Sequence, residues 1–448
     1  MLYESEQGNV TITLTGDSMI TRAMRPFRES GFQGLLELLR GSDVTVSNLE
    51  MLFHNFEMSW QYKGAASFQV SHPRNLDDLK WLGIDVVTTA TNHAFDYGEA
   101  GFLTTLRHCD AAGLLQAGGG RHLDEARAPA YLDTRGGRVA VMATTSTYSE
   151  ESRSGPGRAD FPGKPGVSCL RHDIVNRVPA EFLATLRQGK QALGYNAREE
   201  SRRKQAGQSA SGESSDDLHF LGNHFRVGNG YKVETACNKD DLKSIARWIR
   251  GAKKQAEWLV FAAHCHESGL SDEWHGQTGV NPPDFLVELA HFTIDKGADA
   301  FVSHGTHYLR GIEIYKGKPI FYSLGNFIFQ NETVEWLPHA AYEGLKMTDD
   351  DTPGDWGWGR SAGGKHGHAA NPVFYRSAVT ECRFADGQLK EIWIHPVDLG
   401  FARPIGQRGR PLLAGDEVAQ QVLAWLQRLS KPFGTEITIE GNKGVIRL

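Results

Sequence analysis

The chain is poor in cysteine, has no surplus of basic residues and contains no long apolar run. Its 448 residues include only five cysteines (Cys109, Cys169, Cys237, Cys265, Cys382), widely spread and never in a C-x-x-C pair. That argues against a disulfide framework and against a cysteine-based zinc site. Forty-eight Lys and Arg stand against 54 Asp and Glu, a formal charge of −6, so nothing recruits a nucleic-acid backbone. No uncharged apolar stretch approaches the ~20 residues that span a bilayer. The acidic opening residues show neither the positive nor the apolar part of a secretory signal. The expectation is a cytoplasmic chain with no membrane span and no nucleic-acid partner.

A recurring pattern dominates what is present. Short β-branched or apolar runs stop abruptly at small and metal-competent residues. Residues 10–15 end at Gly16-Asp17, 43–47 at Asn48-Leu49-Glu50, and 84–90 at Thr91-Asn92-His93. Later, 258–263 end at His264-Cys265-His266-Glu267, 299–303 at His304-Gly305-Thr306-His307, and 319–324 at Gly325-Asn326. Continuous apolar runs of this length suit strands buried on both faces. Helical patterns lie between them, at 34–40, 76–82, 100–112, 240–257 with Asn238 as N-cap, and 285–296. The alternation predicts a layered α/β protein, in which strand carboxyl ends share one edge and sites form there.

The remainder reads differently. From Ser377 the chain alternates as strands, followed by a helix over 416–430. Residues 198–217 are polar and Ser/Gly-rich and read as a mobile insertion without a fold of its own. Residues 348–372 are rich in Gly, Trp and His and read as an irregular binding loop or lid. No internal repeat is present, and the whole of 1–448 is expected to form one domain.

The strand-end residues carry the chemistry. Asp17 and Glu50 are carboxylates able to ligate a cation or shuttle a proton, and Asn92 offers a neutral amide ligand. His93 can act as base, electrophile or ligand, with Asp96 three residues on to orient its ring. His264 and His266, two apart in an extended segment, can share a face, and the glycine between His304 and His307 can bring both rings to one centre. His54, His108, His172, His219, His291 and His395 lack such a setting. Asn326 reads as part of a structural turn.

In this order the motifs resemble the CapA family of capsule and poly-gamma-glutamate biosynthesis proteins, related to calcineurin-like metallophosphoesterases. The matching stretches are TGDSM (15–19), SNLE (47–50), ATNHAFDYG (90–98), AAHCHE (262–267), SHGTHYLRGIEIYKGKPIFYSLGNF (303–327) and KPFGTEI (431–437). The resemblance implies a four-layer α-β-β-α metallophosphoesterase-like sandwich with a site at one end. It implies Asp17, Glu50, Asn92, His264, His304 and His307 as metal ligands, Glu50 standing where the superfamily has a bridging Asp, and His93 as general acid. Met19 replaces the histidine of the superfamily's first Asp-x-His block.

Three functions follow as expectations. One is a hydrolase of a peptide-like, amide or phosphoester substrate, using one or two divalent cations (Mn, Zn, Fe or similar) with His93 and Asp96. Another is a metal-free peptide Cα epimerase with an Asp17/His304 acid–base pair. The last is a non-catalytic scaffold in polymer assembly. Trp356, Trp358 and Arg310 are the expected substrate contacts.

Overall fold

The computed structural model describes residues 8–61, 67–208 and 214–448. Two sheets carry the fold. The larger is ten-stranded, with parallel strands Val10–Met19, Val44–Leu49, Val86–Thr88 and Leu115–Ala117 side by side. Strands Arg376–Ala385 and Gln388–Asp398 continue it antiparallel beyond Val10–Met19, as the C-terminal alternation predicts. The smaller sheet has six strands, with Gly137–Thr145, Trp258–His264, Ala300–His304 and Lys318–Phe321 parallel at its centre.

Alternation along these strands sorts the core. Val139, Val141 and Ala143 join Val260, Ala262, Ile12, Leu14 and Val46 in one cluster built from both sheets, while Ala140 and Met142 face the other way. There they meet Ile245 and Ile249 of helix Lys239–Ala252 and Phe285 and Leu289 of helix Asp284–Lys296. Across the larger sheet, Leu35 and Leu39 of helix Ser30–Gly41 and Leu76 and Leu79 of helix Arg74–Leu82 pack against Leu49, Val87 and Val379. The expected helices all form. The one over 240–257 stops at Ala252, and Asn238 caps it by accepting from the backbone N–H of Asp240 and Asp241.

Asp241 ties this helix to the sheet. Its carboxylate receives Arg127 at 2.8 Å and Arg171 at 2.9 Å, and the Arg127 side chain is almost wholly buried. Burial alone would raise the Asp241 pKa, but the hydrogen bonds from Arg171 and Arg127 outweigh it and hold the value below the ordinary 3.8. The stability this carboxylate contributes is therefore present above the unfolded-state pKa and is lost as pH falls through the lower folded value. Asp241→Asn strands a buried guanidinium and is expected to cost about 3 kcal/mol near neutral pH. Urea denaturation should show the gap from wild type narrowing below about pH 4.

Two segments depart from the sequence expectation. Within 198–217, helix Tyr195–Gln205 covers the first part and strand Asp217–Phe220 begins at its end; residues 209–213 lie outside the described residues. The helix buries no side chain of its own. Its Ala, Arg, Glu, Lys and Gln residues are strong helix formers, and Glu199 pairs with buried Lys190 of the preceding helix. Strand Asp217–Phe220 enters a separate four-stranded sheet. The glycine-rich 354–359 stretch, expected to be irregular, is the helix Pro353–Arg360. Thr352 and Asp355 close a capping box around it and Pro353 starts it. At Gly357 a Cβ would sit 3.2 Å from the Glu332 carbonyl oxygen, so glycine there allows the helix to lie close to its neighbour.

Candidate functional site

The carboxyl ends of the parallel strands of both sheets meet at one edge, and the two buried carboxylates lie there. Asp17 is held on the strand that starts the larger sheet; its backbone N–H donates to the Gly325 carbonyl at 3.0 Å. Its Oδ2 accepts from the Gly305 N–H at 3.0 Å and its Oδ1 from Asn48 Nδ2 at 2.7 Å. Asn48 is fixed in turn by the Thr88 hydroxyl, 2.7 Å from its Oδ1, and its Nδ2 lies 3.2 Å from His264 Nδ1. Glu50 is fully buried, and neither carboxylate oxygen has a hydrogen-bond partner.

Three imidazoles and the Asn92 amide close the centre. His264 Nε2 lies 3.0 Å from Asn92 Oδ1 and 3.0 Å from His266 Nε2, and both histidines stand 3.6 Å from Glu50 Oε1. His307 Nδ1 is 3.6 Å from Asp17 Oδ2 and 3.6 Å from Glu50 Oε2, and 3.0 Å from Asn326 Oδ1. His307 has a φ of 64°, a left-handed conformation unusual for a side chain of this kind and of the sort stored at functional sites. Two sets of three ligand atoms result, each within 4.8 Å: Glu50, His264 and His266, and Asp17, Glu50 and His307. Glu50 belongs to both.

This donor set fits a divalent cation. Two carboxylates are buried with no Lys or Arg ion pair to either among the described residues, and Glu50 has no hydrogen-bonding partner. Such charge is stable in a protein interior only if neutralised by a proton or a cation. Burial pushes the Asp17 carboxyl up to about 7, with the Glu50 charge adding to the rise, and burial lifts Glu50 well above the ordinary carboxylate range. Burial equally depresses His264 well below its usual value and His307 to about 4, keeping both rings neutral and able to donate a lone pair.

His93 sits beside the centre and lines the cleft above it, with Nδ1 2.7 Å from Asp96 Oδ2; that oxygen also accepts from the Gln69 backbone N–H at 2.7 Å. The cleft, about 1020 Å³, is lined by Asn92, His93, His266, His307, Arg360 and His368 together with loop residues.

Other expected residues are placed differently. His304 lies beside His264 in register, but its Nε2 donates to the Thr15 carbonyl at 3.1 Å, its Nδ1 is buried without a partner, and it enters neither ligand set. Arg310, expected as a substrate contact, does not line the cleft: the guanidinium is fully buried, donating to the Glu267 and Gly279 carbonyls. Trp356 is buried, its Nε1–H donating to the Ala341 carbonyl, whereas Trp358 projects into solvent. Asn326, expected to be a turn residue only, also holds His307 in place, its Nδ2 donating to the His307 carbonyl at 3.0 Å.

In the sequence, His266 stands with His264 without joining the expected ligands, and Asn48, His368 and Arg360 have no role of their own. The i, i+2 spacing placed His266 on the face of His264, and that signal was present. Asn48 stands in the strand-end cluster with Glu50, and Arg360 and His368 lie in the 348–372 stretch, but their positions at the centre are set only by contacts between distant segments. A third group, Asp217, His219 and His224, lies in the four-stranded sheet, where Arg226 also reaches Asp217.

Close strand approach sets these distances. A Cβ at Gly16 would lie 1.9 Å from the Gly325 carbonyl oxygen. Gly16→Ala is expected to destabilise the fold by about 3 kcal/mol or more and to displace Asp17, readable as a lowered thermal midpoint.

Comparison with known proteins accords with this geometry. The model of the bacterial capsule synthesis protein PGA_cap matches residues 11–331, which hold every member of the two ligand sets. The chain belongs to this family. Among its relatives, an uncharacterized protein y4uA of Sinorhizobium fredii is 36% identical over 450 residues, covering 98% of this chain and 93% of that protein. The PGA biosynthesis protein CapA of Bacillus subtilis is 24% identical over 326 residues, covering 71% of this chain and 63% of that protein. A probable polyglutamine synthesis accessory protein of Mycobacterium tuberculosis is 25% identical over 268 residues, 59% of this chain and 50% of that protein. Among the described residues, no helix of this capsule synthesis family member is long and apolar enough to cross a membrane.

Proposed function

We propose that this protein is a metal-dependent hydrolase of a peptide-like, amide or phosphoester substrate, working in the synthesis or processing of a cell-surface polymer. The observation that carries the reading is Glu50, buried with both oxygens unpartnered and shared by two sets of ligand atoms. The names of the capsule, PGA and polyglutamine synthesis relatives support the polymer setting. Chain 1–448 is read as one domain, and the core between the sheets with helices packed on each outer face supports a four-layer α-β-β-α sandwich of the metallophosphoesterase type.

Asp17, Glu50, Asn92, His264, His266 and His307 would hold one or two divalent cations, and the unpartnered Nδ1 of His304 is a further donor beside them. Cations so held supply the positive charge that polarises a scissile group and lowers the pKa of water. The chain's own part is positional. Asn48 and the Gly305 N–H fix both Asp17 oxygens, and Asn326 fixes His307. Asp96 holds His93 by Nδ1, so that Nε2 is the ring atom to protonate the departing group. Hydrolysis is preferred to Cα epimerisation because the buried, unpartnered oxygens of Glu50 call for a cation that an epimerase pair would not need.

Elemental analysis of the purified protein, with turnover of a chromogenic phosphodiester and a peptide amide before and after chelation, tests the proposal. One or two divalent cations per chain and turnover lost on chelation and restored by metal are expected. Turnover by a metal-free preparation overturns the reading, and recovery of exchanged Cα deuterium from heavy water would transfer support to epimerisation.

A further inference from the structure

The four-stranded sheet is separate from the two sheets that carry the centre, and its strands run in the order Asp217–Phe220, Asn223–Val227, His172–Val178, Lys232–Cys237. Among the described residues, Asp217–Phe220 is an edge strand, paired only with Asn223–Val227. Alternation gives that strand two faces. Leu218 and Phe220 turn into a small core with Val178 and Leu183, so Asp217 and His219 share the opposite face.

A two-residue turn fixes the partner strand. Leu221 and Gly222 have φ of 52° and 77°, both left-handed, as the tight hairpin turn that matches strand twist requires. The resulting register sets His219 directly opposite His224, and Asp217 opposite Arg226. The two imidazole centroids are 4.1 Å apart, with ring planes 16° apart. His224 Nε2 stands 2.6 Å from Asp217 Oδ1. One ligand atom each from Asp217, His219 and His224 lies within 4.8 Å of the other two.

Arg226 does not close this group off. It meets Asp217 at Oδ1, 3.1 Å away, and its own side chain is exposed, so the pair is solvent-screened and weak. Among the described residues, both side-chain bonds to the Asp217 carboxylate fall on Oδ1 and leave Oδ2 open. Two adjacent imidazoles with a carboxylate suit zinc, nickel, cobalt or copper, whereas magnesium and calcium prefer oxygen donors alone. Zinc ligands at about 2.0–2.2 Å in a tetrahedron stand about 3.3 Å from one another. Small rotations of surface side chains on a fixed hairpin reach that spacing.

We propose that Asp217, His219 and His224 form a separate metal site for one divalent transition ion, which staples the edge strand to its neighbour. The ion takes the place of the hydrogen bond between His224 and Asp217, accepts a lone pair from each ring, and leaves a further position to water. The site is independent of the centre between the two large sheets and of the hydrolase reading.

Zinc binding to the full, tag-free chain tests it, read by equilibrium dialysis with elemental analysis. Wild type is expected to hold one zinc per chain more than the His219→Ala/His224→Ala double variant, and Glu50→Gln is expected to keep that ion. In the Glu50→Gln background, His219→Gln should weaken zinc binding roughly 10- to 100-fold or more, since changes merely behind a ligand already cost that much. Nickel or copper should displace the zinc and magnesium should not. Circular dichroism checks folding, and His219 is exposed, so its replacement leaves the core intact. Equal zinc in wild type and double variant, unchanged affinity in His219→Gln, displacement by magnesium, or saturation only at millimolar zinc overturns the site. A chain whose only zinc depends on His219 and His224 sinks the hydrolase reading and leaves this site standing.

Discussion

Under the proposed hydrolase reading, Glu50→Gln is expected to lose most of the divalent metal bound at the centre and to lower turnover about a hundredfold or more, the several kcal/mol that metal-assisted charge stabilisation supplies. The substitution keeps the side-chain volume and removes only the charge, so packing is disturbed little. A sign test follows from the burial. Wild-type Glu50 is enclosed without a hydrogen-bond partner, and that costs the metal-free protein stability. The neutral variant without metal should therefore melt no lower than wild type without metal. Adding metal should raise the wild-type midpoint strongly, since ligand at a hundred times its dissociation constant contributes about 2.7 kcal/mol. Little rise is expected in the variant. Equal metal-induced stabilisation of both proteins in differential scanning fluorimetry would show that Glu50 is not the shared ligand.

His93→Ala is expected to reduce turnover by about 10²- to 10⁴-fold while leaving metal content unchanged, the usual range for a lost general acid. His93 belongs to neither ligand set, and its Nδ1 is engaged by Asp96. Asp96→Asn should act through the ring it orients and cost less than removal of the ring itself. Its effect should appear in the turnover number and the pH profile more than in substrate affinity. A parallel loss of metal in His93→Ala would instead make His93 a ligand.

The site was legible in the sequence to an uneven degree. Asp17, Glu50, Asn92 and His264 could be found because each follows an apolar run, and a strand in a parallel sheet delivers its carboxyl end to a common edge. His266 was half legible, since its spacing placed it with His264 while nothing in the spacing said how far a partner would be. Arg310, expected as a substrate contact, misled because a cationic residue close to a histidine motif in sequence need not face the cleft. The chain instead turns its guanidinium inward to the Glu267 and Gly279 carbonyls, 43 and 31 residues earlier in the chain. The glycine-rich 354–359 stretch misled by composition. Propensity disfavours helix there, yet the cap, Pro353 and the buried Trp356 override it.

Residue order and periodicity alone settled the layered α/β character, the main helices, and the set of strand ends from which a centre could be built. These are local properties, encoded within a few turns or pleats of chain. Folding in three dimensions decided which oxygen of which carboxylate stands between which rings. It made Glu50 common to two ligand sets, turned the Nε2 of His304 to a backbone carbonyl, and carried Arg360 and His368 to the edge of the cleft. The reason is that such separations depend on how two sheets and a distant helix pack together. Short-range patterns specify the faces that must be buried but leave open the distances between side chains hundreds of residues apart.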